Sequence, residues 1–159
     1  MQPLDPARSP PVHGPALNHV RLWVDDVARD PEWVPKWFEW SFGLNDPGRD
    51  DASSREEALI DGRFRLHGSI DLVGERANGG LRVTDHKTGK ERVARGAVID
   101  GGRALQPVLY ALAVEKLLPD VQVESGRLYY CTSTGGFSEV TVPLDKRARA
   151  AATLLATTL

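Results

Sequence analysis

At 159 residues, 41% hydrophobic and 26% charged, the chain has the size and composition of one soluble globular domain with a real core. Its formal net charge of -2 gives no global basic field for nucleic acid, although a groove can be locally basic in a neutral chain. The single cysteine, Cys131, excludes an internal disulfide and a four-cysteine iron-sulfur cluster, and with no signal peptide or membrane-spanning apolar run a cytoplasmic setting is the default expectation.

Residues 1–35 read as a proline-rich lead-in carrying one short helix, "HVRLWVDDVARD", with Val20, Trp23, Val24 and Val27 at helical spacing. "KWFEWSFGL" then alternates as a strand does, with Phe38, Trp40 and Phe42 expected on one face and Trp37, Glu39 and Ser41 on the other. Residues 45–55 are polar and read as a loop. Asp61-Gly62 is a hairpin signal between two strand-like runs. The second run, residues 64–75, places Phe64, Leu66, Ile70 and Leu72 on one face and Arg65, His67, Ser69 and Asp71 on the other. "RANGG" turns into the strand "LRVTDHK", residues 81–87, completing an antiparallel meander.

Residues 88–101 read as an irregular connection. A helix follows, its apolar stripe formed by Leu105, Val108, Leu109 and Leu112, with Leu117 closing it before Pro119. "SGRLYYCT" and "GFSEVTVP" make a hairpin around Gly135-Gly136, and residues 145–159 form an Ala/Leu-rich terminal helix.

The turn at 76–80 decides whether Asp71 and Asp85 meet. A three-residue loop, Ala77-Asn78-Gly79, pairs Arg76 with Gly80 and sets Asp71 opposite Asp85, with Gly79 supplying the left-handed residue such a loop needs. A two-residue loop shifts the register by one and sets Asp71 opposite His86. The polar face begun by His67 and Ser69 favours the first. Two carboxylates and Lys87 would then share a face. Like charges about 4 Å apart repel by roughly 4 kcal/mol at an effective dielectric of 20, and a divalent cation between them reverses the sign. Oxygen ligands suit Mg²⁺ or Mn²⁺. On charge pattern alone, solvated residues at a strand end account for the same signal.

"GSID" (68–71), "TDHKTGK" (84–90) and "LQPVLYALA" (105–113), in that order, resemble the nuclease core of the PD-(D/E)XK superfamily, in particular its RecB-like and AddB-like branch, over roughly residues 37–142. The resemblance implies an α/β fold: a central mixed, mainly antiparallel sheet flanked by helices, the restriction-endonuclease-like core, over residues 36–159. It implies a Mg²⁺- or Mn²⁺-dependent nuclease hydrolysing DNA phosphodiesters, in repair or recombination, with a helicase partner or parent chain. Carried over, Asp71 and Asp85 match the metal-binding carboxylates and Lys87 the catalytic lysine. The backbone carbonyl of His86 matches a further metal ligand, and Glu39 an accessory acid. Gln106 and Tyr110, at i and i+4, match a helix face toward the metal site and the nucleic-acid backbone.

The chain departs from that pattern in two respects. The histidine that often completes the metal shell has only His13 or His19 as candidates, and neither context is convincing. The cysteines of an AddB-like cluster are missing. The short, proline-rich start and the uncapped C-terminal helix suggest a domain cut from, or evolved from, something longer. The missing histidine also keeps open an inactive nuclease-fold module that binds DNA or a helicase. A β-meander protein with a partner patch of Trp23, Trp33, Trp37 and Trp40 is a third reading. No phosphate loop of the G-x-x-x-x-G-K-[ST] type is present, so the chain does not itself couple ATP to unwinding.

Overall fold

The computed structural model describes residues 24, 26–45, 51–90 and 105–156. The chain divides into two units, residues 1–31 and 32–159. In the first, Val24 and residues 26–29 are helical, but Val24, expected on the apolar face, is exposed. His13, His19, Val20 and Trp23 lie outside the described residues.

The second unit is built on a five-stranded sheet and a separate two-stranded hairpin. Its strands are β1 (Val34–Phe42), β2 (Ala58–Ile60), β3 (Phe64–Leu66), β4 (Gly68–Glu75), β5 (Leu81–Lys87), β6 (Val123–Tyr130) and β7 (Glu139–Pro143); its helices are α1 (Leu105–Leu117) and α2 (Lys146–Ala156). The sheet order is β1-β4-β5-β6-β7. β5 and β6 are parallel, with α1 between them in the chain, and the other pairs are antiparallel. A parallel pair needs such a crossover. The mixed, mainly antiparallel α/β sheet expected from the sequence is therefore present, as a split meander with a helical crossover.

Asp61 (φ 51) and Gly62 (φ 66) make the β2–β3 turn, closed by Arg63 N–H on Ile60 C=O at 3.0 Å. The run 64–75 is two strands, not one: β3 pairs with β2, and β4 pairs with β1 and β5. The polar stretch around residues 51–55 is anchored rather than loose. Ser54 N–H donates to Ser41 C=O, Ser53 Oγ accepts from Ser41 N–H, and Trp40 Nε1–H donates to Ala52 C=O. β1 is an edge strand, and this segment satisfies main-chain groups that would otherwise lack a partner.

α1 packs across β5 and β6 and against β2. Its core-facing residues are Val108, Ala111 and Val114, while the expected stripe residues Leu109 and Leu112 are only partly buried. Close approach to the sheet selects this face: a Cβ on Gly126 would stand 2.3 Å from the Pro107 carbonyl oxygen. Gly126 is therefore the floor on which the first turn of α1 rests. Pro107 sits in that first turn, where its missing N–H costs no helix bond. Asp145 caps α2, its Oδ1 accepting from the N–H groups of Arg147 and Ala148 at 2.8 and 2.9 Å. Among the described residues no helix is long and apolar enough to cross a membrane.

Candidate active site

β5 carries the site because one of its faces changes character along its length. Leu81 and Val83 are fully buried in the core. Asp85 and Lys87 continue the same face past the core's edge, and Lys87 Nζ reaches Gln106 on α1. The opposite face carries Arg82, Thr84 and His86. There the buried Arg127 donates to Thr84 Oγ1 at 3.1 Å and to Glu139, and the His86 ring meets the Tyr129 ring edge-on at 5.9 Å.

The β4–β5 register is the one set by a three-residue loop. Arg76 N–H donates to Gly80 C=O at 2.9 Å, Gly79 has φ 83, and the pairs run Glu75↔Leu81 to Leu72↔Thr84. The next pair in that register is Asp71 with Asp85. Here the ladder stops. In a continued ladder His86 N–H would donate to the Ile70 carbonyl; it donates instead to Asp71 Oδ2 at 2.6 Å.

The same point breaks the alternation of both neighbouring strands. Ile70 and Val73, three residues apart, both enter the core, as do Trp40 and, partly, Trp37, whose rings stack at 6.1 Å. Strict alternation would separate each of these pairs. The reversal sits at Glu39, whose φ is 48, and the flanking pairs Phe38↔Leu72 and Trp40↔Ile70 put Glu39 across from Asp71. The expected faces are corrected accordingly: Phe38 is exposed while Trp37 packs on the core, and Leu72 does not share a face with Ile70. Glu39, Asp71 and Asp85 thus occupy successive positions across three adjacent strands. The Glu39 carboxylate accepts from Ser69 Oγ at 3.4 Å.

The two aspartates differ electrostatically. Burial works to raise the Asp71 pKa, but hydrogen bonding and charge from His86, whose Nδ1 is 3.7 Å from Oδ2, and the charge of Lys87 outweigh it and hold the carboxyl below its ordinary value. Asp85 is the more enclosed, with 10% of its side chain exposed against 31% for Asp71. Burial pushes its pKa up, the Asp71 charge adds to this, and the close ammonium of Lys87 only partly offsets it.

Lys87 Nζ lies 2.6 Å from Asp85 Oδ2 and 2.9 Å from Gln106 Oε1. Its contact with the aspartate falls outside hydrogen-bond geometry, which leaves Asp85 Oδ2 a buried oxygen with acceptor capacity to spare. Within a strand residue the N–H and C=O point to the same side. The Lys87 carbonyl accepts from Cys131 N–H, toward β6, so the His86 carbonyl points the other way, toward Asp71. Among the described residues no group of three or more His, Cys, Asp or Glu side chains is gathered to hold a metal. The available donors are two carboxylates and one main-chain carbonyl, a hard-oxygen set that suits Mg²⁺ or Mn²⁺.

Tyr110 lies one turn beyond Gln106, with its ring edge-on to Phe42 at 5.8 Å and its hydroxyl end over Gly68. A Cβ on Gly68 would come within 2.9 Å of that hydroxyl, which accounts physically for the glycine that opens "GSID". Sequence reading placed Ser69 on the polar face of its strand but missed its bond to Glu39, and it missed Gly126 as a supporting residue altogether. A glycine inside the apolar run "SGRLYY" was the available signal for Gly126, since strand glycines mark close backbone approach.

A family model described as the PD-(D/E)XK nuclease superfamily matches residues 15–158. A comparison with curated proteins gives no match. Nucleases of that superfamily are generally metal-dependent and act on DNA. With the match spanning nearly the whole chain, and a mixed five-stranded sheet flanked by helices beneath it, the chain belongs to the PD-(D/E)XK nuclease superfamily.

Proposed function

We propose that the protein is a Mg²⁺- or Mn²⁺-dependent nuclease of the RecB-like branch that hydrolyses DNA phosphodiester bonds in repair or recombination. The observation that carries this reading is the end of the β4–β5 ladder, where Asp71 leaves the strand pairing beside Asp85 and Lys87 stands over the second carboxylate. A sheet gains no stability by setting two carboxylates together at the edge of its core; burial pushes the Asp85 pKa up, and the Asp71 charge adds a smaller push in the same direction.

Asp71, Asp85 and the His86 carbonyl are the ligands in this reading, with Glu39 a further acid within the same row. A divalent cation held there would supply a Lewis acid for the phosphoryl oxygen and charge neutralisation for the leaving group. Lys87 as the ammonium orients the attacking water and offsets negative charge developing on the phosphoryl group, or as the neutral amine accepts the water's proton. The order "GSID", "TDHKTGK", "LQPVLY" supports the RecB-like assignment, and a helicase partner follows from that resemblance alone.

The test is cleavage of linear single- and double-stranded DNA with Mg²⁺, with Mn²⁺ and with chelator, beside Asp85→Asn. Cleavage that needs the cation and is lost in the variant supports the reading. Binding of DNA without cleavage under every condition would leave the inactive-module alternative in its place.

A further inference from the structure

Lys87 Nζ stands between two oxygens of different character, Asp85 Oδ2 at 2.6 Å and Gln106 Oε1 at 2.9 Å. Asp85 is anionic and is one of the two carboxylates that would hold a cation. An ammonium and a divalent cation sharing one carboxylate repel each other at such distances. The cation's arrival therefore loosens the hold of Asp85 on the ammonium. Gln106 is neutral, so its oxygen can hold an ammonium without drawing the cation away. It sits in the first turn of α1, the turn seated on the sheet by Pro107 against Gly126. The lysine stem is long and flexible, so a small rotation carries Nζ from one oxygen to the other. With Oε1 turned to Lys87, only the Gln106 NH₂ is left to face a phosphate.

We infer that Lys87 is the built-in counter-ion of Asp85 in the metal-free protein, and that Gln106 is a positioning residue that retains the ammonium when a divalent cation takes the carboxylate. This rests on the metal-binding part of the proposed function. It goes beyond it by giving Gln106 a role in metal loading, exerted through Lys87 and independent of nucleic acid. Removing Gln106 strands the displaced ammonium and so opposes metal binding. Removing Lys87 frees Asp85 and favours it.

The experiment is Mn²⁺ titration by calorimetry, with no nucleic acid present, in wild type, Gln106→Ala, Lys87→Met and the double variant, each checked for folding by circular dichroism. Gln106→Ala is expected to weaken Mn²⁺ binding about three- to tenfold, within the range of coupling between contacting residues. Lys87→Met is expected to tighten it, and adding Gln106→Ala to Lys87→Met to change nothing further. Wild-type affinity in Gln106→Ala, or an equal loss in the Lys87→Met background, overturns the inference. The cycle involves no turnover: a wild type that binds Mn²⁺ in this coupled way but cuts no DNA would sink the nuclease reading alone, and a cleaving wild type with uncoupled residues would sink this inference alone.

Discussion

The Asp71 carboxylate takes the place of a main-chain carbonyl: its Oδ2 accepts the His86 N–H at 2.6 Å where β4 parts from β5. One side chain therefore has a structural and a chemical role, and two substitutions separate them. Asp71→Ala leaves a half-buried N–H without its acceptor and should cost about 1–3 kcal/mol of stability. Asp71→Asn keeps an acceptor oxygen and should retain most of that stability in urea denaturation. Both should lose cleavage and most Mn²⁺ affinity. If Asp71→Asn were as unstable as Asp71→Ala, the hydrogen bond would not be what the residue contributes to the fold.

Asp85 gives the pH dependence its sign. Its folded pKa is raised, so the folded chain holds this proton more tightly than the unfolded chain does. The resulting contribution to stability is fully present below the unfolded carboxyl pKa and is lost as pH rises through the folded value. Asp71, with its pKa lowered, acts oppositely: its contribution is present above the unfolded pKa and fades as pH falls through the folded one. Asp85→Asn should therefore raise the metal-free melting temperature at pH 7, with the gain shrinking toward pH 3, while Asp71→Asn should lower it at pH 7 with a shrinking loss. Thermal melts in chelator at both pH values check the pair. An Asp85→Asn variant less stable than wild type at pH 7 would contradict the assigned direction.

Divalent metal should reverse the Asp85 effect. A cation that binds only the folded chain adds RT ln(1 + [L]/Kd), about 2.7 kcal/mol at a hundredfold excess over Kd. Wild type should melt higher as Mg²⁺ or Mn²⁺ is added, and Asp85→Asn should not respond. The two proteins should exchange rank between chelator and millimolar Mn²⁺. Identical wild-type melting curves across that range would count against a formed site.

Gly68 makes a packing prediction one turn away from the chemistry. Gly68→Ala would put a methyl 2.9 Å from the Tyr110 hydroxyl and 3.1 Å from its ring, in a site already closed by Phe42. Overpacking of this kind costs about 1–3 kcal/mol. Tyr110→Leu should cancel much of the cost in the double variant, because the methyl then meets no ring. Additive losses from the two substitutions would mean that Gly68 is needed for its backbone rather than for the space beside it.

The facing of Asp71 and Asp85 was legible only in part: the turn at 76–80 left two registers open, and the polar face begun by His67 and Ser69 chose the three-residue loop that the strand pairing has. The reversal at Glu39 was not legible, because no glycine announces a left-handed residue there and the pattern around it alternates well. The family resemblance put Gln106 on a helix face toward the site, and its oxygen accepts from Lys87 Nζ. Its partner was out of reach of spacing arguments, since the contact with Lys87 depends on how closely α1 approaches the sheet, and Gly126, twenty residues further on, sets that approach. Tyr110 shares Gln106's face by spacing, yet its ring is committed to Phe42 and Gly68. Aromatic bulk fills the first concavity it meets, and that concavity is made by residues from two other strands.

Lys87 separates an enzyme from a binding module. Lysine is no metal ligand, and the exposed Lys90 remains to meet phosphates, whereas Arg65 is already paired with Glu57. In a nuclease, Lys87→Ala should abolish cleavage while leaving Mn²⁺ binding intact or tighter and DNA affinity little changed, because a group acting only in the transition state affects turnover rather than binding. In a binding module the same change should act as the loss of one phosphate contact: a modest drop in DNA affinity, with the slope of log affinity against log salt shallower by about one. Single-turnover cleavage and salt-dependent DNA binding, measured on the same two proteins, decide between them. Loss of cleavage with an unchanged salt slope places Lys87 at the reacting phosphate; a shallower slope with no wild-type cleavage to lose places it on the DNA backbone.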